Sequence, residues 1–280
     1  MSIAYYNGKI CGVDEVRVPL TDRAVFFGDG IYDAAIGRGG RIYLEDEHIE
    51  RFIGNSRLMN IPLPLEKEEL RGLLHELVRR SGEDCFFLYF QLTRYSATRV
   101  HACRERERSN LLITVTPATL PAPKKRLSLV SYPDKRYEYC HIKTLNLLPA
   151  VLASSYAEGM GADEAVFYRG DRVTECAHSN ISILNDGVLI THPTDTHILP
   201  GITRAKMIDI CKEMGVKVEE RPFSRGDLRR ADAVLVTSSS KLCLIADSLD
   251  GVPLRVRDRS TADGICERFF DEFIAETAKK

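Results

Sequence analysis

His141-Ile142-Lys143-Thr144-Leu145-Asn146 is the stretch on which the reading of this sequence turns. Its one lysine stands in an uncharged setting: Ile142 precedes it, and Thr144, Leu145, Asn146, Leu147 and Leu148 follow. A lysine in such a run either snorkels its ammonium outward or is held where the amine is used. Desolvation disfavours the ammonium and leaves more of the nucleophilic free amine. Groups perturbed in this way gather at active sites. The question for the rest of the chain is whether other segments supply partners for such an amine.

Composition sets the frame. The chain has 280 residues, 44% of them hydrophobic, enough for one large core or two smaller ones. The formal net charge is -1 and the 28% of charged residues mix both signs, which argues against a nucleic-acid or membrane surface as main partner. The densest basic stretch runs from Arg94 to Arg108 and includes Arg99, Arg104 and Arg106. Diluted by Glu105 and Glu107, it reads as a solvated loop. The eight cysteines are scattered without a CxxC pair, so neither a zinc site nor a disulfide framework is expected, and most read as buried thiols. No apolar run approaches the roughly 18 residues of a membrane helix, and the N-terminus has no signal-like core. A soluble, cytoplasmic protein is expected.

Periodicity then divides the chain. Ile3–Ile10 is a strand meeting an Asn7-Gly8 hairpin turn. Glu45–Met59 is helical, with Ile49, Phe52, Ile53, Ser56 and Met59 on one face. Glu66–Ser81 is a second helix with a leucine-rich stripe and Gly82 past its end. Cys85–Thr93 and Leu111–Thr116 are strands. Hairpin, helices and strands together read as an α+β unit. Pro117, Pro121 and Pro123, followed by Lys124-Lys125-Arg126, mark the linker. Beyond it, Leu127–Tyr132 is a strand and Leu148–Glu158 a helix with Pro149 in its first turn. Strands follow at Glu164–Tyr168, Val173–Glu175, Ile181–Leu184 and Val188–His192. Thr203–Met214 reads as a helix capped by Thr203, and Ala233–Thr237 as a buried strand. Ser260–Thr277 closes the chain, with Ser260 and Asp263 resembling a capping box.

Three features besides Lys143 bear on chemistry. Gly201-Ile202-Thr203 opens a helix, whose free N–H groups make an anion cradle suited to phosphate, although Gly-x-Thr is also ordinary capping. Glu175 ends a strand before Cys176-Ala177; it is either a salt-bridged structural acid or a site carboxylate. Ser238-Ser239-Ser240 is a hydroxyl cluster after a buried strand, at the kind of loop end that lines sites or merely turns. An amine, a phosphate cradle and a carboxylate able to keep a pyridine nitrogen protonated together describe a pyridoxal phosphate site.

These motifs fall in a familiar order. Phe27-Gly28-Asp29-Gly30-Ile31-Tyr32, Glu47-His48-Ile49-Glu50-Arg51, Phe90–Arg94, Ile142–Leu148, Val173-Thr174-Glu175, Ser179-Asn180, Thr191-His192-Pro193, Leu199–Arg204 and Val236–Ser239 span nearly the whole chain. The sequence resembles the class IV (fold type IV) pyridoxal-phosphate aminotransferases, and within them the D-amino acid aminotransferases. The resemblance implies a two-domain fold of mixed α+β and α/β character. Residues 1–118 would form a small domain carrying a substrate-clamp loop, 119–126 a linker, and 127–280 a larger, barrel-like cofactor domain. It implies pyridoxal 5′-phosphate bound through Lys143, which would also move the substrate proton. Glu175 would face the pyridine nitrogen. Arg51, Ile202, Thr203 and Ser239 would surround the phosphate, and Ser179 would lie near the cofactor. Arg99-Val100-His101 with Tyr32 would grip the substrate carboxylate, a guanidinium giving paired hydrogen bonds and the imidazole and phenol further donors. In that subgroup the loop reaches the neighbouring subunit's site, which implies a homodimer. Amino acid and 2-oxo acid would be the substrates.

Two places depart from the pattern. Cys176-Ala177-His178 stands where D-selective relatives carry a Gly/Ser-rich stretch, and Lys241-Leu242 where they often have Ser-Glu. The leading expectation is transamination between a D-amino acid such as D-alanine and 2-oxoglutarate or pyruvate. A 4-amino-4-deoxychorismate lyase and a branched-chain L-amino acid aminotransferase are the alternatives, and Arg99 with His101 argues against both.

Overall fold

The computed structural model describes residues 2–103, 108–120, 122–255 and 257–278. Arg104 and Arg106 of the basic stretch and Pro121 of the linker lie outside the described residues. The chain forms two compact units. One is Met1–Leu120 with Ile142–Asn146 and Ala275–Lys280; the other is Pro121–His141 with Leu147–Ile274. The lysine segment belongs with the first unit while its flanks belong to the second.

In the first unit β1 (Ile3–Tyr6) and β2 (Lys9–Gly12) form the hairpin. Asn7 and Gly8 both take positive φ, 45° and 97°, as a two-residue turn matched to strand twist requires. Helix α1 (Arg23–Phe27) is capped by Asp22, whose carboxylate accepts from Ala24 N at 2.8 Å. There follow β3 (Gly30–Arg38), β4 (Arg41–Ile42), α2 (Glu45–Leu58), α3 (Lys67–Ser81), β5 (Cys85–Thr93) and β6 (Asn110–Pro117). The sheet runs β2-β1-β6-β5-β3-β4 and is antiparallel at every pairing. Alternation along β5 buries Phe86, Leu88, Phe90 and Leu92. The apolar stripes of α2 and α3 join them in one core, with Phe52 edge-on to Phe90 at 4.7 Å. Each such phenyl contributes about 1.5–3 kcal/mol by leaving water.

Ile142–Asn146 is held to this unit by its backbone. Tyr32 N donates to Lys143 O at 2.9 Å, Leu145 N donates to Gly30 O at 3.1 Å, and Ile31 bridges Thr144. Gly30 permits the approach, since a Cβ there would lie 2.6 Å from Leu92 O and 2.7 Å from Leu145 Cδ1.

The second unit contains β7 (Arg126–Pro133), α4 (Leu148–Gly159), β8 (Glu164–Arg169), β9 (Arg172–Cys176), β10 (Asn180–Asn185) and β11 (Val188–Thr191). It continues with α5 (Ile202–Glu213), β12 (Lys217–Glu220), α6 (Arg225–Arg230), β13 (Ala233–Ser238), β14 (Leu242–Leu249), β15 (Val252–Pro253) and α7 (Arg259–Glu276). Its sheet runs β12-β11-β10-β13-β14-β7-β8-β9, with β15 beside β14. The pairings β7–β8 and β11–β12 are parallel, as crossovers through α4 and α5 demand. The remaining parallel pair is β14–β7.

Two expected caps are corrected. The cap of α5 is Gly201, with Ile202 and Thr203 already helical. At α7 the helix begins at Arg259, and the Asp258 carboxylate, not Ser260, accepts from Thr261 N at 3.3 Å. Among the described residues all eight cysteines are free, no cluster could hold a metal ion, and no helix is long and apolar enough to cross a membrane.

Gly30→Ala should cost about 1–3 kcal/mol, as overpacking against backbone does, and lower the urea midpoint. An unchanged midpoint would show that Gly30 is not what lets the lysine segment approach β3.

Candidate active site

Successive residues of β3 face opposite sides of its sheet, so Tyr32 and Asp33 enter different surroundings. Tyr32 stacks on Tyr89 at 5.4 Å, and Tyr89 OH donates to Gln91 Oε1 at 2.7 Å. Lys143 Nζ lies 4.3 Å from the Tyr32 ring centroid, a cation–π distance. Two expected site residues, Tyr32 and Lys143, are thus in contact.

Asp33 points the other way, to α2, and is fully buried. Arg51 Nε donates to Asp33 Oδ2 at 2.8 Å and Nη2 to Oδ1 at 2.9 Å; His48 Nδ1 is 2.7 Å from Oδ1, and Ala34 N donates to it at 2.8 Å. Burial alone would raise the Asp33 carboxyl, but Arg51 and His48 outweigh it and hold it well below the usual range. Burial likewise lowers His48, against Asp33. Asp33 and His48 were missed in sequence. The available signal was an acid beside Tyr32 in an apolar strand, facing His48 and Arg51 three positions apart on one helix face.

The Arg99–His101 loop also rests on this unit. Arg99 Cζ lies 5.1 Å from the Phe27 ring centroid, and the His101 ring lies 5.2 Å from the same ring. Buried Arg23 holds the loop from beneath: Nη1 donates to Val100 O at 2.6 Å, Nη2 to His101 O at 3.1 Å, and Nε to Asp29 Oδ2 at 2.7 Å. Arg94 corrects the reading of this stretch as solvated. Its Nε donates to Asp29 at 3.0 Å, and its Nη1 and Nη2 donate to Asn60 O at 2.8 Å and Met59 O at 2.9 Å. It is a cross-link, not a surface charge.

In the second unit Glu175 is buried on β9. Its Oε1 accepts from Arg136 Nη1, and its Oε2 from Asn180 Nδ2 at 2.9 Å and Leu199 N at 3.0 Å. Burial pushes the carboxyl up, and Arg136 opposes it. Three N–H donors on two oxygens suit the ionised form, which accepts only. Arg136 is fixed in turn by Asp134, through Nε at 3.0 Å and Nη2 at 2.9 Å, and lies 4.4 Å over Phe167. Neither Arg136 nor Asp134 was anticipated, because nothing local joins them to Glu175.

The same Asn180 reaches the start of α5. A Cβ on Gly201 would lie 1.9 Å from Asn180 Oδ1, so any other residue would have to displace the Asn180 side chain and its bonds to Glu175 and Leu199 O. The cap makes no side-chain hydrogen bond, and Ile202 and Thr203 are buried in the first turn. Ser239 is half-buried in the turn after β13, and Thr237 Oγ1, just before it, is buried without a hydrogen-bond partner. Ser179 Oγ donates to Glu164 Oε2 at 2.8 Å.

Residues 30–249 match the family described as amino-transferase class IV. This chain belongs to the class IV aminotransferases. A D-alanine aminotransferase of Listeria monocytogenes is 33% identical over 273 residues, covering 96% of this chain and 94% of the relative. One from Bacillus licheniformis is 35% identical over 256 residues, covering 88% of each. The branched-chain aminotransferase of Thermoproteus uzoniensis superposes with a TM-score of 0.90 over 99% of this chain and 96% of its own, at 20% identity. That structural likeness establishes the fold, fold type IV, and nothing finer.

The donors present in this class IV aminotransferase fit the cofactor that the resemblance implies. An ionised carboxylate has about four acceptor sites, and the described contacts of Glu175 use three of them. The uncapped first turn of α5 and the orphaned Thr237 hydroxyl suit an anion.

Asp33 supplies a pH test. Its folded-state carboxyl is held down, so its contribution to stability is complete above the ordinary carboxylate range near pH ~4 and is lost progressively as pH falls below that range toward the lowered folded-state value. Asp33→Asn should cost about 3–5 kcal/mol at neutral pH by removing the buried carboxylate that pairs with Arg51 and His48, and should flatten the acid limb of stability against pH. An acid limb identical to that of the parent protein would remove Asp33 from the account.

Proposed function

We propose that this aminotransferase carries pyridoxal 5′-phosphate and moves the amino group between a D-amino acid, such as D-alanine, and a 2-oxo acid, such as 2-oxoglutarate or pyruvate. The observation that carries the reading is the Lys143 amine held 4.3 Å from the Tyr32 ring centroid by backbone bonds to β3. The D-selective part rests on Arg99 and His101 seated together on Phe27, in a chain about a third identical to D-alanine aminotransferases.

The bound cofactor supplies an aldehyde carbon and a ring that takes up electrons. Lys143 Nζ would hold it and would move the proton at the substrate Cα. Glu175, whose two oxygens accept from Arg136, Asn180 and Leu199, would accept the pyridine N–H. Arg51, with its fork oriented by Asp33, Ile202 and Thr203 at the uncapped α5 terminus, and Ser239 bind the phosphate. Tyr32, Arg99 and His101 bind the substrate carboxylate. The working form is a homodimer in the cytoplasm.

The purified protein, loaded with pyridoxal phosphate, should have its cofactor converted from the aldehyde to the amine form by D-alanine and not by L-leucine. Conversion by L-leucine alone would overturn the D-selective reading. Pyruvate release from 4-amino-4-deoxychorismate with both amino acids inert would establish a lyase instead. Arg99→Leu should raise KM for D-alanine roughly 10–100-fold, the value of a charge-assisted hydrogen bond, with the cofactor absorption unchanged. An unchanged KM would take Arg99 out of the clamp.

A further inference from the structure

The two departures from the family pattern meet at one buried carboxylate. Glu164 opens β8 and is 1% exposed. Its Oε2 lies 2.5 Å from Lys241 Nζ, 3.0 Å from His178 Nε2 and 2.8 Å from Ser179 Oγ, and Lys241 Nζ lies 3.1 Å from His178 Nε2. Lys241 is largely buried and His178 is half-exposed. Burial alone would raise the Glu164 carboxyl, but His178 and Lys241 outweigh it and hold it low. An unpaired ion at this depth would be costly, so the carboxylate and its two basic partners belong together.

The partners come from two different turns. His178 and Ser179 lie in the turn after Glu175, closed by Cys176 N donating to Ser179 O at 2.7 Å, and Ala177 N ties that turn to Ala165 O, next to Glu164, at 2.9 Å. Lys241 ends the turn that contains Ser239, and its N donates to Ser238 O at 3.2 Å. On the proposed reading these turns adjoin opposite ends of one cofactor: the first follows the pyridine partner Glu175, and the second holds the phosphate-binding Ser239. A single ionised side chain therefore fixes the spacing between them.

We propose that Glu164, Lys241 and His178 form a positioning node that couples the Glu175 turn to the Ser239 turn and so sets how tightly this chain holds pyridoxal phosphate. The inference rests on the cofactor reading above. This chain ties the two turns with charge. None of the three touches the reacting atoms, so they act through Glu175 and Ser239.

The test is a titration of the apoproteins with pyridoxal phosphate, read by cofactor absorption, for the parent protein, Glu164→Gln, Lys241→Ser and the double variant. Each single change should weaken binding on the order of tenfold, the scale on which outer partners of a bound group act. The double variant should bind no more weakly than Glu164→Gln to within roughly a factor of two, because the pair works as one unit. Lys241→Arg should restore affinity. If Glu164→Gln fails to fold, His178→Ser, at a half-exposed position, should still weaken binding severalfold. Unchanged affinities in folded variants, or losses that multiply in the double variant, would overturn the node. A parent protein that takes up no pyridoxal phosphate would overturn the cofactor reading itself, a different and separately visible failure.

Discussion

Two backbone hydrogen bonds to one edge of β3 fix where the amine of Lys143 stands. Because Tyr32 N donates to Lys143 O and Leu145 N to Gly30 O, the lysine segment is registered against the strand rather than left as a loop. Registration places Nζ over the Tyr32 ring, and strand alternation sends the neighbouring Asp33 to the opposite face, where it orients Arg51. The small side of this arrangement is Gly30, and the large side is the aromatic and aliphatic core under α2 and α3, which keeps β3 from shifting.

Buried carboxylates do the rest, and the same physics recurs at each. Asp33, Glu175 and Glu164 are all buried, and each meets a basic side chain together with neutral donors. Paired buried charges add little to net stability compared with apolar packing, but removing one partner is expensive. Their value is in geometry: an ionised carboxylate with several donors has few alternative positions. Glu175 is a salt-bridged buried acid, which is compatible with the site role proposed for it, so the two readings open in the sequence are not exclusive.

Local signals were legible because they act locally. The Asn7-Gly8 turn, the stripes of α2 and α3, the Pro149 helix start and the strands from Glu164 to Thr191 follow from pattern and turn chemistry. β14 was not read, nor was the exchange of Ile142–Asn146 into the first unit, because long-range backbone pairing leaves no periodic trace. Among the residues proposed for the site, Lys143, Glu175, Arg51 and Tyr32 stood out through motif order. Asp33, Arg136 and Arg23 did not, since each acts through a partner remote in sequence, as Arg23 does on the carbonyls of Val100 and His101. Arg94 was misjudged because a charge-rich stretch reads as solvated, whereas its guanidinium is shielded by Asp29 and two carbonyls.

The central claim is that Lys143 is the amine that binds the cofactor. Borohydride reduction of the protein loaded with pyridoxal phosphate, followed by digestion and mass mapping, tests it directly. The account requires one covalent adduct, on the peptide containing Ile142-Lys143-Thr144. An adduct on Lys241 or any other lysine, with Lys143 unmodified, would contradict it.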